Sequence, residues 1–305
     1  MKYFDNKEIT IEITNKCGAS CVMCPRELMT TNYKTMSNEL FEKIVVDAFN
    51  SGVELLDLCG YGDVFLDRDL FKKIKFAKSI KKDCKVFISS TGNALLEKYH
   101  DDILEYVDIL KLSIYGYSKP VYEKMMGGIS YDKTMRNLNA LIDSNIANNN
   151  KLYTIGNYVL MDENQHEKDD WLEYWEPRLS EVYVWLPHNY IYGRNYRDIK
   201  NKEQKTCGRP LKGPLNVAAD GIAHLCCFDF NKEIVIGDMR NQNIQDVING
   251  KELKRIQQKH LDGDFSDLLC GQCDQTIHDE GVLIYKSNPD RKVGMSNSSM
   301  YAYKS

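Results

Sequence analysis

The sequence predicts an α/β fold: a partial, TIM-like (β/α)6 barrel followed by a small C-terminal region built from a β-hairpin and a helix. Two observations support this prediction. Strand patterns and helix patterns alternate about six times before residue 187, and the alternation then stops. Strands that alternate with helices form a parallel sheet with right-handed crossovers, and six units suit a partial barrel better than the closed eight-unit barrel.

The first unit shows how the elements are recognised. Residues 8–14 alternate apolar and polar side chains, as a half-buried strand does. Ser37 can cap the next helix, which ends at Gly52. One face of that helix carries Leu40, Phe41, Ile44, Val45 and Ala48. The same criteria predict further strands at 53–58, 85–89, 108–115, 152–160 and 181–186, and helices over 94–105, 131–147 and 165–177. Another helix is marked by Leu70, Phe71, Ile74 and Ala77.

The C-terminal region has a different pattern. A polar connection at 194–205 precedes a predicted hairpin that turns at Asp220-Gly221, and a helix is expected at about 243–259. The tail from residue 287 is polar and is expected to be loosely attached. We therefore divide the chain into a barrel over 1–190, a small C-terminal domain over 191–286, and a tail over 287–305.

Composition excludes some classes of protein. The chain has 305 residues, 43% of them apolar, and a formal net charge of −4, which favours neither nucleic acid nor an anionic membrane as a partner. It has no long apolar run and no secretory signal, so we expect it to be cytoplasmic. Ten cysteines in a reducing compartment point to metal, redox or catalytic use. Cys59 and Cys84, in or beside strands, are expected to be buried and structural.

Three cysteines directly follow the first strand. The spacing Cys17-x3-Cys21-x2-Cys24 places three thiols in one loop at the carboxyl ends of the strands, where parallel α/β folds build their active sites. Three thiolates can bind three irons of a cubane cluster and leave the fourth iron open to a small molecule. A zinc site with a remote fourth ligand is the alternative for the same residues.

This loop resembles the signature of the radical S-adenosylmethionine (SAM) superfamily, whose fold is a partial (β/α)6 barrel. The resemblance implies a SAM-binding [4Fe–4S] cluster on these cysteines, and SAM itself. Met23 stands where the family usually has an aromatic residue beside the adenine. By position, the resemblance also implies SAM contacts at the glycine-rich turn Gly60, Tyr61, Gly62 and Asp63, and at the polar strand ends Ser89, Ser90, Asn93 and Ser113. Plain turn and capping roles are the alternative for these residues.

A second set of cysteines lies near the C-terminus. Cys207, Cys226, Cys270 and Cys273 can form one complete tetrahedral set, for an iron–sulfur cluster or for zinc. The spacing of Cys207, Gly221 and Cys226 resembles SPASM domains and their shortened twitch relatives, and the cysteine count then implies one auxiliary [4Fe–4S] cluster. Cys227 could replace Cys226 as a ligand, although the Gly-x4-Cys spacing favours Cys226.

The resemblance implies radical chemistry. Reductive cleavage of SAM yields a 5′-deoxyadenosyl radical that abstracts a hydrogen atom from the substrate. An auxiliary cluster with four protein ligands suits an electron acceptor, so we expect a two-electron oxidation of a small sugar- or aminocyclitol-like substrate. Within this superfamily, the chain resembles the twitch-type aminocyclitol dehydrogenases. A flavodoxin- or ferredoxin-like electron donor is expected as a partner.

Other functions and the catalytic groups stay open at this point. One alternative is radical modification of a ribosomal peptide, by thioether formation or epimerisation. Only 16 residues precede Cys17, which we read as no room for the leader-binding module of that class. Another is a zinc-binding protein without enzymatic activity. No catalytic base is assigned. His188, Asn189 and Arg194, after the last barrel strand, are candidate substrate contacts.

Overall fold

The computed structural model describes residues 7–189, 196, 203–276 and 282–288. Its strands are β1 (Glu8–Ile11), β2 (Ser20–Cys21), β3 (Leu55–Leu58), β4 (Lys85–Ser90), β5 (Ile109–Ser113), β6 (Met126–Gly127), β7 (Tyr153–Val159), β8 (Glu181–Trp185), β9 (Leu215–Val217), β10 (Ile222–His224), β11 (Val235–Asp238) and β12 (Leu283–Lys286). Its α-helices are α1 (Asn38–Asn50), α2 (Leu70–Ile80), α3 (His100–Tyr106), α4 (Lys119–Met125), α5 (Tyr131–Ala147), α6 (Lys168–Trp175), α7 (Arg209–Lys212), α8 (Ile244–Ile248) and α9 (Lys251–Asp262).

One curved sheet organises the described chain. Its strand order is β11-β10-β9-β1-β3-β4-β5-β7-β8-β12. In this order, each strand from β9 to β8 runs parallel to the next. Strands β10 and β11 at one edge, and β12 at the other, pair antiparallel with their neighbours. The predicted α/β fold with a mostly parallel sheet is thus confirmed, and the predicted hairpin, β9 and β10, continues the barrel sheet.

Helices α1 and α5 have N-terminal caps and buried apolar faces, as the sequence predicts for α1. The Ser37 hydroxyl accepts a hydrogen bond from Leu40 N at 3.2 Å and caps α1, whose apolar face is fully buried at Phe41, Ile44 and Val45. Burial of each such side chain contributes roughly 1.5–3 kcal/mol. Helix α5 spans the predicted 131–147 and is capped in the same way by Ser130.

The two faces of the sheet bury different cores. Outward side chains such as Leu56, Ile88 and Leu112 pack against the helices and are 0% exposed. A small apolar cluster, Leu55, Phe87, Ile109, Ile155 and Tyr183, fills the concave side. Successive strand residues point to opposite faces. The concave positions further along each strand, towards its carboxyl end, are therefore left to line a site.

Several elements differ from expectation. Strand β1 ends at Ile11, because the chain after it turns to join the C-terminal hairpin and Glu12 N donates to Val217 O at 2.8 Å. The helix expected at 243–259 is two helices, α8 and α9, separated at Asn249-Gly250. Helix α4 at Lys119–Met125 was not predicted.

The chain beyond the hairpin was also read incompletely. Strands β11 and β12, which lie at the two edges of the sheet, were not predicted. Ser287 bonds to the backbone of Val182 through its own backbone and side chain, so the tail remains attached at that residue. The tail from residue 289 onwards lies outside the described residues. Within the described part of the chain, no helix has the length and apolarity needed to span a bilayer.

Candidate active site

The N-terminal cysteine loop leaves the sheet after β1 and is held by backbone contacts. The loop forms strand β2, which pairs with β6, and the Cys24 backbone N donates to Cys21 O at 3.0 Å. The Arg26 guanidinium donates to the carbonyls of Asn15 and Tyr61, the latter at 2.6 Å, and so ties the loop to the turn after β3. Cys17, Cys21 and Cys24 are therefore presented at the carboxyl end of the sheet, as their position after a strand predicts.

These three thiols lie close enough to affect one another. Burial raises the pKa of Cys21 well above its ordinary value, and negative charge on Cys24 or Cys17 raises it further. Burial is also the main reason that the pKa of Cys17 is raised, with Arg26 acting in the opposite direction. Neighbouring buried thiolates need positive charge, and iron supplies it. The donor set fits a cluster on these residues.

The glycine-rich turn after β3 packs directly on this loop. Asp63 N donates to Lys16 O at 2.8 Å. A Cβ placed on Gly62 would lie 2.2 Å from Thr14 O and 2.7 Å from Lys16 O. Glycine is therefore required at this position so that the two backbones can approach. The turn and the cysteine loop form one rigid unit.

A cavity of about 360 Å³ opens next to this unit, at the carboxyl ends of the strands. It is bounded by the barrel on one side and by the C-terminal region on the other. Nine of the predicted site residues line it: Cys21, Met23, Cys24, Gly60, Tyr61, Gly62, Ser89, Ser113 and His188. The structure thus brings these residues together around one cavity.

Three predicted SAM contacts form hydrogen bonds within the protein. The Asp63 carboxylate is 3% exposed and accepts hydrogen bonds from the Ser90 and Thr91 hydroxyls and from Thr91 N. Asn93 donates its amide to Ser130 O and to Thr134 Oγ1. Asp63, Ser90 and Asn93 do not line the cavity. Their expected contacts with SAM stay predictions, and strand alternation gives neighbouring residues different surroundings: Ser89 and Thr91 line the cavity, whereas Ser90 points to the opposite side.

The residues after β8 divide in a similar way. His188 lines the cavity, with its ring 4.8 Å from that of Phe228 and its Nδ1 3.1 Å from Gln275 Nε2. Asn189 does not line the cavity; it is 7% exposed, and its backbone N donates to Asp274 Oδ2 at 2.8 Å. The Asn189 backbone therefore anchors this loop, and its expected contact with the substrate stays a prediction. Arg194 lies outside the described residues.

A charged layer that the sequence reading missed forms the floor of the cavity. Asp57 of β3 and Lys111 of β5 both line it, as does Cys59, which was expected to be buried and structural. Burial raises the pKa of Asp57 to about 6, although the Cys59 thiol, Lys111 and Thr10 act to lower it. The available signal was a single charged residue at an inward position of an otherwise apolar strand. Cys84, in contrast, is 0% exposed in the core, as expected.

The C-terminal cysteines form a second set. Cys207, Cys226, Cys270 and Cys273 together line a small enclosed space. Burial raises the pKa of Cys270 to about 12, with negative charge on Cys207 adding to the effect, and burial raises the pKa values of Cys226 and Cys273 as well. Cys227 lines the large cavity instead. Four clustered thiols in an enclosed space fit one fully ligated cluster.

Two residues stand between the large cavity and this second set. Arg209 and Phe228 line both spaces, and the Arg209 guanidinium lies 4.9 Å from the Phe228 ring centroid. Arg209 is 4% exposed, and its charge acts to lower the pKa values of Cys226, Cys270 and Cys273. A positively charged residue thus adjoins both the thiolates and the cavity.

Neither cysteine set is arranged for one metal ion. Among the described residues, no group of three or more His, Cys, Asp or Glu side chains has the geometry to hold a single ion. Each cysteine of a cubane cluster binds a different iron atom, so the thiols of a cluster site need not converge on one point.

Comparison with known proteins identifies the family. A family profile described as the radical SAM superfamily matches residues 11–174, more than half of the chain. A second profile, SPASM, described as an iron–sulfur cluster-binding domain, matches residues 207–274. No curated protein matches the chain by sequence.

Solved structures show the same fold. BtrN in complex with AdoMet and 2-DOIA has a TM-score of 0.64 at 14% identity, over 90% of this chain and 94% of that one. Native anSMEcpe with bound AdoMet has a TM-score of 0.67 at 13% identity, over 90% and 92%. Streptococcus suis SuiB bound to precursor peptide SuiA has a TM-score of 0.64 at 12% identity, over 81% and 65%.

The matched domains imply the cofactors: a [4Fe–4S] cluster with SAM in the barrel, and auxiliary iron–sulfur binding in the C-terminal region. The zinc-binding, non-enzymatic alternative is not supported by these matches. The chain belongs to the radical SAM superfamily and is a radical SAM enzyme with a C-terminal SPASM domain.

Proposed function

We propose that this enzyme is a dehydrogenase that removes two electrons from a small hydroxylated substrate of the sugar or aminocyclitol class. One observation carries the proposal. A single cavity is lined by Cys21 and Cys24 on one side and by Arg209 and Phe228, which border the second cysteine set, on the other. A substrate held there lies between the place where a radical forms and a place that can accept an electron.

The proposed ligand sets follow the two groups of thiols. Cys17, Cys21 and Cys24 hold the SAM-binding cluster, and Cys207, Cys226, Cys270 and Cys273 hold one auxiliary cluster. Met23, Gly60, Tyr61, Gly62 and Ser113 contact SAM from the cavity wall. When bound, SAM and the reduced cluster supply a 5′-deoxyadenosyl radical. The chain's own residues orient the substrate and exclude water from the cavity.

The size and polarity of the cavity support a small substrate. The cavity of about 360 Å³ is shared with SAM, so only part of it is left for the substrate. Polar side chains reach it from several strands, among them Thr10, Asn157 and Asn216. Such groups can bind the hydroxyl groups of a polyol. The fold is shared with BtrN, solved with AdoMet and 2-DOIA, and this supports a substrate of related chemistry.

The cellular setting in the proposal follows from the thiols. All ten cysteines are free, which supports a reducing, cytoplasmic location. A flavodoxin- or ferredoxin-like protein supplies the electron that starts each turnover.

The reaction is tested with anaerobically reconstituted enzyme, reductant, SAM and a panel of aminocyclitols and sugars. We expect 5′-deoxyadenosine and a ketone product in equal amounts. Formation of 5′-deoxyadenosine without any oxidised product from the whole panel would contradict dehydrogenation.

The ligand assignment is tested with the adjacent pair Cys226→Ser and Cys227→Ser. Wild-type enzyme should hold about eight irons per chain. Cys226→Ser should lose about four of them, since its site lies in the enclosed thiol set, and Cys227→Ser should lose none. Equal iron loss in the two variants would contradict the assignment.

A second candidate is radical modification of a peptide. Its support is that the fold likeness to SuiB bound to precursor peptide SuiA and to anSMEcpe with bound AdoMet and Kp18Cys peptide, at TM-scores of 0.64 and 0.66, is as strong as the likeness to BtrN. If the small-molecule panel gives no product, incubation with short peptide libraries followed by mass analysis decides for this candidate.

A further inference from the structure

The floor of the cavity contains a buried carboxylate, Asp57, whose partners in the fold are the Thr10 hydroxyl and the Cys59 thiol. Asp57 is 2% exposed and sits on the concave face of β3, where it lines the cavity. Its Oδ2 accepts a hydrogen bond from the Thr10 hydroxyl at 3.3 Å. Its Oδ1 has no hydrogen-bond partner among the described residues. Buried polar atoms are nearly always partnered, so an unpartnered acceptor on a buried residue that lines a cavity points to a ligand.

The surroundings of Asp57 strengthen this reading. Lys111 lines the same cavity from β5, but among the described residues no ion pair within 4.0 Å joins the two side chains. Two other buried aspartates have fuller sets of partners: Asp67, 4% exposed, is paired with Lys73 at 2.7 Å, and both oxygens of Asp63, 3% exposed, accept hydrogen bonds. Asp57 therefore differs from a structural buried carboxylate in this same fold.

We propose that Asp57 is a catalytic residue whose Oδ1 accepts the proton of the substrate hydroxyl at the carbon that is oxidised. This inference rests on the proposed dehydrogenase function. Conversion of CH–OH to C=O removes a hydrogen atom, a proton and an electron. The hydrogen atom on carbon goes to the 5′-deoxyadenosyl radical, the O–H bond breaks and its proton goes to the Asp57 carboxylate, and the remaining electron goes to an iron–sulfur cluster as the one-electron oxidant.

Burial supports this role because it raises the pKa of Asp57 towards neutral pH. Burial raises the pKa of Asp57 to about 6, and a general base works best when its pKa lies near the working pH. The charged and titratable groups that face Asp57 and Cys59 are Glu8 from β1, Lys111 from β5 and Cys227 from the C-terminal region. Asp57 must be ionised to accept a proton, so product formation should rise with pH through about 6.

The test uses Asp57→Asn and Asp57→Glu in the reconstituted holoenzyme, with a substrate deuterated at the oxidised carbon. Asp57→Asn should keep full iron content and still transfer deuterium to 5′-deoxyadenosine, because hydrogen abstraction does not need the carboxylate. Ketone formation per 5′-deoxyadenosine should fall about 100-fold. Asp57→Glu should restore part of it, and the rise in product formation with pH should be absent in Asp57→Asn.

Folding stability provides a readout that does not depend on activity. At pH 8 Asp57→Asn should unfold at the same temperature as wild type or higher, since it removes a buried charge that the fold does not use. The matched control Asp67→Asn should unfold at a lower temperature, because it breaks the buried pair with Lys73.

The outcomes separate the two proposals. If wild type forms ketone and Asp57→Asn forms it in the same ratio to 5′-deoxyadenosine, the role of Asp57 is overturned and the dehydrogenase stands. A lower unfolding temperature for Asp57→Asn also overturns the role, because the carboxylate is then structural. If wild type forms no oxidised product from any alcohol in the panel, the dehydrogenase proposal fails and the assignment of Asp57 as its base fails with it.

Discussion

Gly62 is the point at which the turn after β3 meets the cysteine loop, and its substitution by alanine should disable the radical site. The added Cβ would lie 2.2 Å from the carbonyl oxygen of Thr14 and 2.7 Å from that of Lys16. Both are backbone atoms, so no side chain can rotate out of the way. The loop carrying Cys17 would have to move instead.

The size of that movement follows from ordinary contact distances. Carbon and oxygen atoms approach to roughly 3.3 Å without strain, so one backbone must shift by about 1 Å. Neither has much freedom: Thr14 is 2% exposed with its hydroxyl donating to Lys34 O, and Arg26 bonds to both the loop and the turn. Overpacking of this kind costs about 1–3 kcal/mol. At about 2 °C per kcal/mol, the unfolding temperature should fall by about 2–6 °C.

The functional loss should exceed the stability loss. A displacement of about 1 Å at a catalytic group can cost roughly 100-fold in rate. Gly62→Ala should therefore fold, lose iron from the N-terminal site, and form 5′-deoxyadenosine about 100-fold more slowly. The measurements are thermal unfolding, iron and sulfide content, and SAM cleavage in the presence of reductant.

Gly18→Ala is the matched control in the same loop. Its Cβ would meet nothing closer than Ile129 Cγ2 at 3.8 Å, an ordinary contact. This variant should keep its iron and its unfolding temperature. Wild-type behaviour of Gly62→Ala would refute the reasoning, because it would mean that the loop and the turn can separate without consequence.

Three further predictions concern stability. Lys73→Met leaves Asp67 buried without the partner it now has at 2.7 Å and should lower the free energy of unfolding by about 3–5 kcal/mol in urea titrations; a loss below about 1 kcal/mol would contradict a buried pair. Burial lowers the pKa of His260 to about 4, so the free energy of unfolding should fall by about 3 kcal/mol as pH drops from about 6.5 to about 4, and this dependence should shrink in His260→Gln. Tyr61→Phe removes the hydroxyl that donates to Cys227 O and should cost about 0.5–1.5 kcal/mol, measured by thermal unfolding, with iron content unchanged.

The repeating part of the fold was readable from the sequence because hydrophobic spacing carries it. Helix α5 was located to the residue and the parallel strands to within a few, since each buries a continuous apolar face. The short edge strands β11 and β12 were missed. Strand β12 pairs with β8, which is distant in sequence, and no local pattern records that pairing.

Site residues could be predicted where a sequence motif fixes their spacing. They could not be predicted where the orientation of a strand decides which side chains face the cavity. The cysteine loop and the glycine-rich turn line the cavity as expected. Ser89 and Ser90 were both named as site residues, although neighbouring strand residues point in opposite directions, because the inward phase of β4 could not be fixed from the polar residues alone. Asp57 was passed over because an aspartate inside an apolar strand was read as part of that strand.

Strand β1 has one edge on β3 and the other on β9, so the first strand of the chain is flanked by residues 55–57 and by residues 215–217. During synthesis the first partner emerges early, whereas the second follows more than a hundred residues later and seconds afterwards at ordinary ribosomal rates. Until then β1 has an open edge next to the cysteine loop, and such an edge can recruit other chains. Delivery of iron to the N-terminal thiols is therefore best timed after release from the ribosome, when the late hairpin has closed that side of the sheet.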